Sequence, residues 1–165
     1  MESRVNMNKL EFYVDNECSD VSDFQSGYDV FDEFIKHRYD ESVIHYILES
    51  KTDKLVAYFA LVSTALPYGT LDNLSGVPAI ELKMFALDRH YQGMGLSNEL
   101  LTIAIEMIEH FVSEYVGAKI ILLYSVPVGH VIKLYEDKGF QRVKGPYMAF
   151  KSQFTEGCIP MFKVI

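Results

Sequence analysis

The hydrophobic positions of this chain change period several times, and each change marks an element. LEFYVDNE (10 to 17) alternates apolar and polar positions as an opening strand does, and CSDVSDFQSGYD after it carries the Ser, Asp and Gly of a loop. Val30, Phe31, Phe34 and Ile35 then recur at helical spacing, predicting a short helix through YDVFDEFIKHRYDES. SVIHYILES and LVAYFALVST are rich in β-branched and aromatic residues and are separated by KTDK, the pattern of a hairpin with a short polar turn. ALPYGTLDNLSGVP, with two Pro and two Gly, predicts a loop before the strand IELKMFALD.

Farther on, Leu96, Leu100, Ile103, Met107 and Phe111 step by three and four residues. Leu101, Ile105, Ile108 and Val112 broaden that stripe, so a long, well-buried helix is expected. KIILLYSV (119 to 126) is almost continuously apolar, as in a strand covered on both faces. Pro127 and Gly129 end it. HVIKLYEDKG then gives a helix of two to three turns stopped at Gly139, FQRV a further strand, and GCIPMFKVI (157 to 165) a last strand after the polar KSQFTEG loop. This order predicts an α/β chain whose mixed central sheet carries helices on both faces.

Composition sharpens the picture. A chain of 165 residues, 49% hydrophobic and without repeats or low-complexity tracts, has the size of a single domain over residues 1–165. Its apolar runs fall well short of the roughly 20 residues that span a bilayer, and MESRVNMNKLEF lacks the apolar core of a signal peptide. A cytoplasmic protein without a membrane partner is expected. Cys18 and Cys158 lie near opposite ends with no ligand spacing, so no metal site is predicted. Two partly buried thiols in a reducing compartment are expected, with a disulfide between them left open. The formal charge of −8 argues against nonspecific nucleic-acid binding, which rests on Lys and Arg neutralising phosphates.

The chemistry concentrates between IELKMFALD and the long helix, where Gln92, Gly93, Met94, Gly95, Leu96 and Ser97 form a turn and Asn98 follows just inside the helix. Glycines let the backbone approach a ligand closely, and the helix start offers unpaired N–H groups to an anion such as a pyrophosphate. A generic strand-to-helix bend would use the same glycines. There is no Gly-Lys-Ser/Thr ending for a triphosphate loop and no third glycine for a dinucleotide fingerprint.

The spacing of Gln92, Gly95 and Ser97 resembles the acyl-CoA signature of the GNAT acyltransferase superfamily, Arg/Gln-x-x-Gly-x-Gly/Ala, with Ser97 where the family prefers Gly or Ala. KLYEDKGF, with Leu134, Tyr135, Gly139 and Phe140, is similar to that superfamily's later signature, and the two together lie within residues 79 to 143. The resemblance implies a GNAT-like central mixed, mostly antiparallel sheet of six to seven strands, with a splayed parallel pair formed by strands 81–88 and 119–125. It implies acetyl-CoA as acyl donor, with its pantetheine amides against Phe85, Ala86 and Leu87 and its pyrophosphate among Gln92, Gly93, Met94, Gly95, Leu96, Ser97 and Asn98. Tyr135 maps onto the tyrosine that protonates the departing thiolate. A phenol suits that role because its ordinary pKa of about 10 keeps it protonated at neutral pH. The Asn often found seven residues before that tyrosine is Val128 here.

An attacking amine must lose a proton, and Glu81, on the strand leading into the site, is the best-placed carboxylate. A solvated strand-end Glu would look the same in sequence, and the superfamily also uses water chains. His90 and His130 have the right chemistry, but each is equally accounted for as a solvated or capping residue. The segment from FQSGYDVFDEF to LVAYFAL, with the ending EGCIPMFKVI, more loosely resembles a branch containing toxins that acetylate aminoacyl-tRNA; Lys36, His37 and Arg38 are the small basic cluster available for such a partner. The expectation is an N-acetyltransferase acting on a primary amine of a small molecule or peptide, as a monomer or homodimer. An aminoacyl-tRNA toxin with an antitoxin partner and a noncatalytic acyl-CoA-binding module are the alternatives. Loops 65–78 and 144–157 are expected to set acceptor specificity.

Overall fold

The computed structural model describes residues 10–38, 40–70, 72–144 and 157–165. In chain order the elements are β1 (Phe12–Asp15), α1 (Asp29–His37), β2 (Val43–Glu49), β3 (Leu55–Thr70), β4 (Asn73–Leu87), a 3-10 turn (Arg89–Tyr91), α2 (Leu96–Tyr115), β5 (Ile120–Ser125), α3 (Gly129–Asp137), β6 (Gln141–Arg142) and β7 (Ile159–Val164). The strands make one seven-stranded sheet in the order β1-β2-β3-β4-β5-β7-β6. Every neighbouring pair is antiparallel except β4 and β5. This is the mixed, mostly antiparallel GNAT-like sheet with one parallel pair.

Two apolar layers fix the helices on opposite faces. Ile47, Phe59, Leu82, Leu87, Ile121 and Leu123 of the sheet pack with Leu100, Leu101 and Ile108 of α2 and Ile132 and Tyr135 of α3. On the other face, Tyr46, Tyr58, Met84 and Ala86 pack with Phe24 and with Phe34 and Ile35 of α1. Each large side chain removed from water in this way contributes about 1.5–3 kcal/mol before chain entropy is counted.

The structure corrects the expected stripe of the long helix. The buried residues of α2 are Leu100, Leu101, Ala104, Ile105 and Ile108, whereas Phe111 is 42% exposed and lies against Tyr115 with ring centroids 5.7 Å apart. At 100° per residue, the line from Leu96 to Phe111 drifts by roughly 60° around the helix, enough to carry its end out of the core.

A second correction concerns residues 65–78, expected as a loop. They form the outer part of the β3–β4 hairpin, whose register runs unbroken from Ala65↔Pro78 through Pro67↔Gly76 to Thr70↔Asn73. β2 pairs with β3 only up to Leu61, and β5 pairs with β4 only from Ala79, so this arm is a two-stranded ribbon. Pro is tolerated there because an outer ribbon edge needs no ladder N–H. Of the other expected specificity loop, residues 145–156 lie outside the described residues. No disulfide joins Cys18 and Cys158, which are each partly buried.

The same hairpin carries a bulge. Ala60 pairs with Met84 and Leu61 with Leu82, which leaves Lys83 as the extra residue on β4. Alternation therefore restarts at Lys83, with Leu82 in the α2 layer and Met84 in the α1 layer.

His45 on β2 is 8% exposed, stacks on Phe59 with ring centroids 4.9 Å apart, and its Nδ1 has no hydrogen-bond partner among the described residues. Burial pushes its pKa below the ordinary value of 6.5. Because the folded protein resists protonating it, the unfolded chain takes up the proton first. The stability held above pH ~6.5 is then lost as pH falls toward the depressed folded value. His45→Leu is expected to cost less than about 1 kcal/mol at pH 7.5, since the replacement removes a polar atom that has no partner. The variant should become the more stable of the two near pH 5, as urea unfolding at both pH values would show. A wild-type advantage that is independent of pH would refute this.

Candidate active site at the split between β4 and β5

The parallel ladder is short. Ala79, Ile80 and Glu81 pair with Ile120, Ile121 and Leu122, and beyond that rung the two strands diverge. β4 stays bonded to β3 through Phe85, Ala86 and Leu87, and β5 to β7 through Leu123 to Ser125, so among the described residues the edges that face each other across the gap have no strand partner. Unpaired backbone groups in the middle of a sheet favour an extended, amide-bearing ligand that can complete the ladder.

A cavity of about 500 Å³ occupies this split. Leu82, Phe85, Ala86 and Leu87 of β4 and Leu123 and Tyr124 of β5 form its flanks. His130, Val131, Leu134 and Tyr135 of α3 close it on one face of the sheet, and Ser26, Tyr28 and Phe31, in and just before α1, close it on the other. The cavity is thus lined from both faces of the sheet, as a site needs if two reactants are to meet from opposite sides. A second cavity of about 410 Å³ is lined by Asp20, Asp23, Asp53 and Asp88. Its carboxylates repel a polyphosphate, so it is the wrong place for an anionic ligand.

The glycine turn lies at the mouth of the split. Gly93 and Gly95 have φ of 75° and 77°, left-handed values that favour glycine, and a Cβ added at either would meet nothing within 4 Å. Gly95 is the N-cap of α2, and among the described residues no side chain caps that helix. The first-turn N–H groups are therefore left to an incoming acceptor, and an anion there is favoured by the helix dipole.

The ten expected cofactor residues divide. Phe85, Ala86, Leu87, Gln92, Gly93 and Ser97 line the cavity, whereas Met94, Gly95, Leu96 and Asn98 continue the turn beyond it. Met94 is exposed, Leu96 packs against the core, and the Asn98 carbonyl accepts a hydrogen bond from Thr102 at 2.9 Å. Gln92 has a role that the motif did not announce. Its Nε2 donates to the Ser26 carbonyl at 2.8 Å and the Leu87 carbonyl at 2.9 Å, tying the loop before α1 to the end of β4. Any grip on an anion at this turn therefore comes from backbone N–H groups rather than from the Gln92 amide.

Tyr135 is 9% exposed, lines the cavity from α3, and meets Phe140 edge to face with centroids 5.8 Å apart. Gly139, with φ of 89°, ends the helix so that the Phe140 N–H donates to the Tyr135 carbonyl at 3.1 Å, which holds the tyrosine's backbone. Burial raises its phenol to about 12. Val128 is the N-cap of α3 and caps it with no side chain, so α3 too presents a bare helix start beside the cavity.

Glu81 is not an exposed strand end. It sits in the middle of β4 at the last paired rung before the split, half-buried, and does not itself line the cavity. Burial, the largest influence, raises its carboxyl; Lys83 lowers it and Asp40 raises it. The two histidines separate: His130 lines the split, while His90 holds Asp88 at 2.7 Å through Nδ1 and lines the acidic cavity. Asp88 also accepts the Gln25 N–H at 3.0 Å, a second tie that brings the Ser26–Phe31 wall to the split. Sequence reasoning missed that wall, since it lies some sixty residues from the motif. The Asp88-x-His90 capping pattern was the one local signal near it.

No protein-family model matches the chain, and no curated protein matches it. Solved structures share its fold almost end to end. A structure described as a bacterial toxin superposes with a TM-score of 0.71 at 20% identity, covering 94% of this chain and 91% of its own. AtaTR bound with AcCoA gives 0.70 at 16% identity over 96% and 95%. AtaT complexed with acetyl-methionyl-tRNAfMet gives 0.68 at 14% identity over 93% and 95%.

Proposed function

We propose that this chain, built on the fold it shares with AtaT, is an N-acetyltransferase that takes the acetyl group of acetyl-CoA to a primary amine. The carrying observation is the single cavity through the β4–β5 split, lined from both sheet faces and bordered by Tyr135. Acetyl-CoA supplies an activated thioester. The chain's residues fit it: the open edge of β4 from Leu82 to Leu87 receives the pantetheine amides, and the uncapped start of α2 with Gly93 and Gly95 receives the pyrophosphate. Oriented backbone dipoles hold that anion against the overall charge of −8.

Each chemical role is assigned to a residue of this chain. Tyr135 stays protonated across the working pH range and gives its proton to the sulfur as the C–S bond breaks. A thiolate formed in the same desolvated slot is itself made more basic, which narrows the gap to a phenol near 12. Glu81, set back from the cavity wall, takes the proton of the amine through an intervening water. Its raised carboxyl makes it a better base than an exposed glutamate. Holding the two reactants in line in one cavity supplies much of the rate.

The narrower reading makes the amine that of an aminoacyl-tRNA and the protein a toxin with an antitoxin partner. It is favoured by the end-to-end match to AtaT, whose structures include acetyl-methionyl-tRNAfMet and AtaR-bound forms. The purified protein should release free thiol from acetyl-CoA when given amines, read by a thiol-reactive dye across a panel that includes aminoacyl-tRNA. Acetyl-CoA binding without thiol release on any member would leave only the noncatalytic binding module. For the toxin reading, induced expression should arrest growth and leave acetylated aminoacyl-tRNA; unimpaired growth with unmodified tRNA would remove it.

A further inference from the structure

We propose that Lys83, anchored by Asp40, is the positioning residue that sets when Glu81 is ionised at the acceptor end of the split. The inference deepens the acetyl-transfer reading and rests on it for its meaning, though its primary measurement does not depend on turnover.

The bulge brings these groups together. In a regular strand, neighbours point to opposite faces, and Leu82 lies in the α2 layer, so Glu81 faces the side of α1. Lys83, the extra residue of the bulge, reaches the same side, where its Nζ bonds Oδ2 of Asp40 in the connection between α1 and β2. Lys83 also lines the cavity, so the ion pair joins the cavity wall to the strand that carries Glu81 two residues earlier. Both partners are mostly sheltered, with side chains 18% and 26% exposed, which limits screening by solvent and salt. Burial works to raise the Asp40 carboxyl, but Lys83 and Ser42 together hold it below its ordinary value.

Two opposed charges therefore act on one carboxylate. Lys83 on its own strand favours the ionised form of Glu81, and Asp40 from the neighbouring connection opposes it, with burial opposing it most. An amine acceptor arrives as an ammonium ion. Two carboxylates around one lysine leave this end of the cavity attractive to that cation, while the lysine keeps Glu81 able to take its proton.

The test is the side-chain carboxyl titration of Glu81 by NMR in the full chain, with the resonance assigned by its loss in Glu81→Gln. Lys83→Met should move the midpoint up by roughly one pH unit, the low end of the effect of one nearby charge. Asp40→Asn, which removes the opposing charge, should move it down, and Lys83→Arg should leave it close to wild type. A purely structural role for the pair would not produce shifts of opposite sign. Shifts of the same sign, or no shift, overturn the proposal whether or not the protein turns over acetyl-CoA. Opposite shifts in a protein that never releases thiol would uphold the proposal and sink the acetyl-transfer reading instead. In the active enzyme the acid limb of kcat/KM should follow the same two directions.

Discussion

Tyr135→Phe should lower kcat by about 100- to 10,000-fold while leaving acetyl-CoA affinity within about twofold of wild type. The substitution removes one oxygen from a residue whose ring stays packed against Phe140 and whose backbone stays fixed by the Gly139 stop, so the cavity keeps its shape. On the proposed mechanism, what is lost is the proton for the departing sulfur. The effect should therefore fall on kcat and kcat/KM alike, the signature of an interaction made only in the transition state. Calorimetry with acetyl-CoA and initial rates of thiol release on the same preparation separate binding from chemistry. Undiminished turnover would take Tyr135 out of the mechanism and leave it as a core tyrosine.

Gly95→Trp should do the reverse and weaken acetyl-CoA binding at least about 100-fold, or roughly 2.7 kcal/mol. Two effects act together. At φ of 77° a residue with a Cβ costs about 1–2 kcal/mol of backbone strain, felt at the helix N-cap. The indole must also occupy the open space before the α2 N-terminus, which is where the pyrophosphate would sit. Because that space is empty of protein atoms, the fold should survive, and a native circular-dichroism spectrum is the control. Unchanged affinity in a folded Gly95→Trp would show that the turn is only a bend.

The two motifs were legible because each is a local pattern whose physics is local. Gly93 and Gly95 are needed for their φ values, and Gly139 stops α3 where the KLYEDKGF pattern places it. The alternation and periodicity that mark β2, α2 and β5 likewise reflect nearest-neighbour geometry. The hairpin arm escaped because Pro67, Gly69, Gly76 and Pro78 have the composition of a loop, and only the absence of outer neighbours lets them stand in strands. Phe111 was misplaced because a stripe that fits three turns drifts over the fourth. Ser26, Tyr28 and Phe31 were invisible as site residues because the bonds that bring them in, from Gln92 to Ser26 and from Gln25 to Asp88, join segments far apart in the chain. The bulge that aims Lys83 toward Asp40 is a register shift between two strands, which one strand's pattern cannot reveal.

The parallel junction of β4 and β5 has a consequence for how the molecule holds together. β1 to β4 form one antiparallel ladder and β5, β7 and β6 another, and among the described residues they are joined by three paired positions and the bond from the Lys119 N–H to the Pro78 carbonyl. β2, β3 and β4 follow one another through short hairpins, whereas β1 reaches β2 across α1 and β5 reaches β4 across α2, so the junction of the two ladders is costlier in loop entropy than the hairpins are. The sheet thus has a built-in line of division, along which cooperative units can separate before the whole unfolds. A ligand lying in the gap would touch both ladders at once, and by binding only the joined state it would fasten the fold.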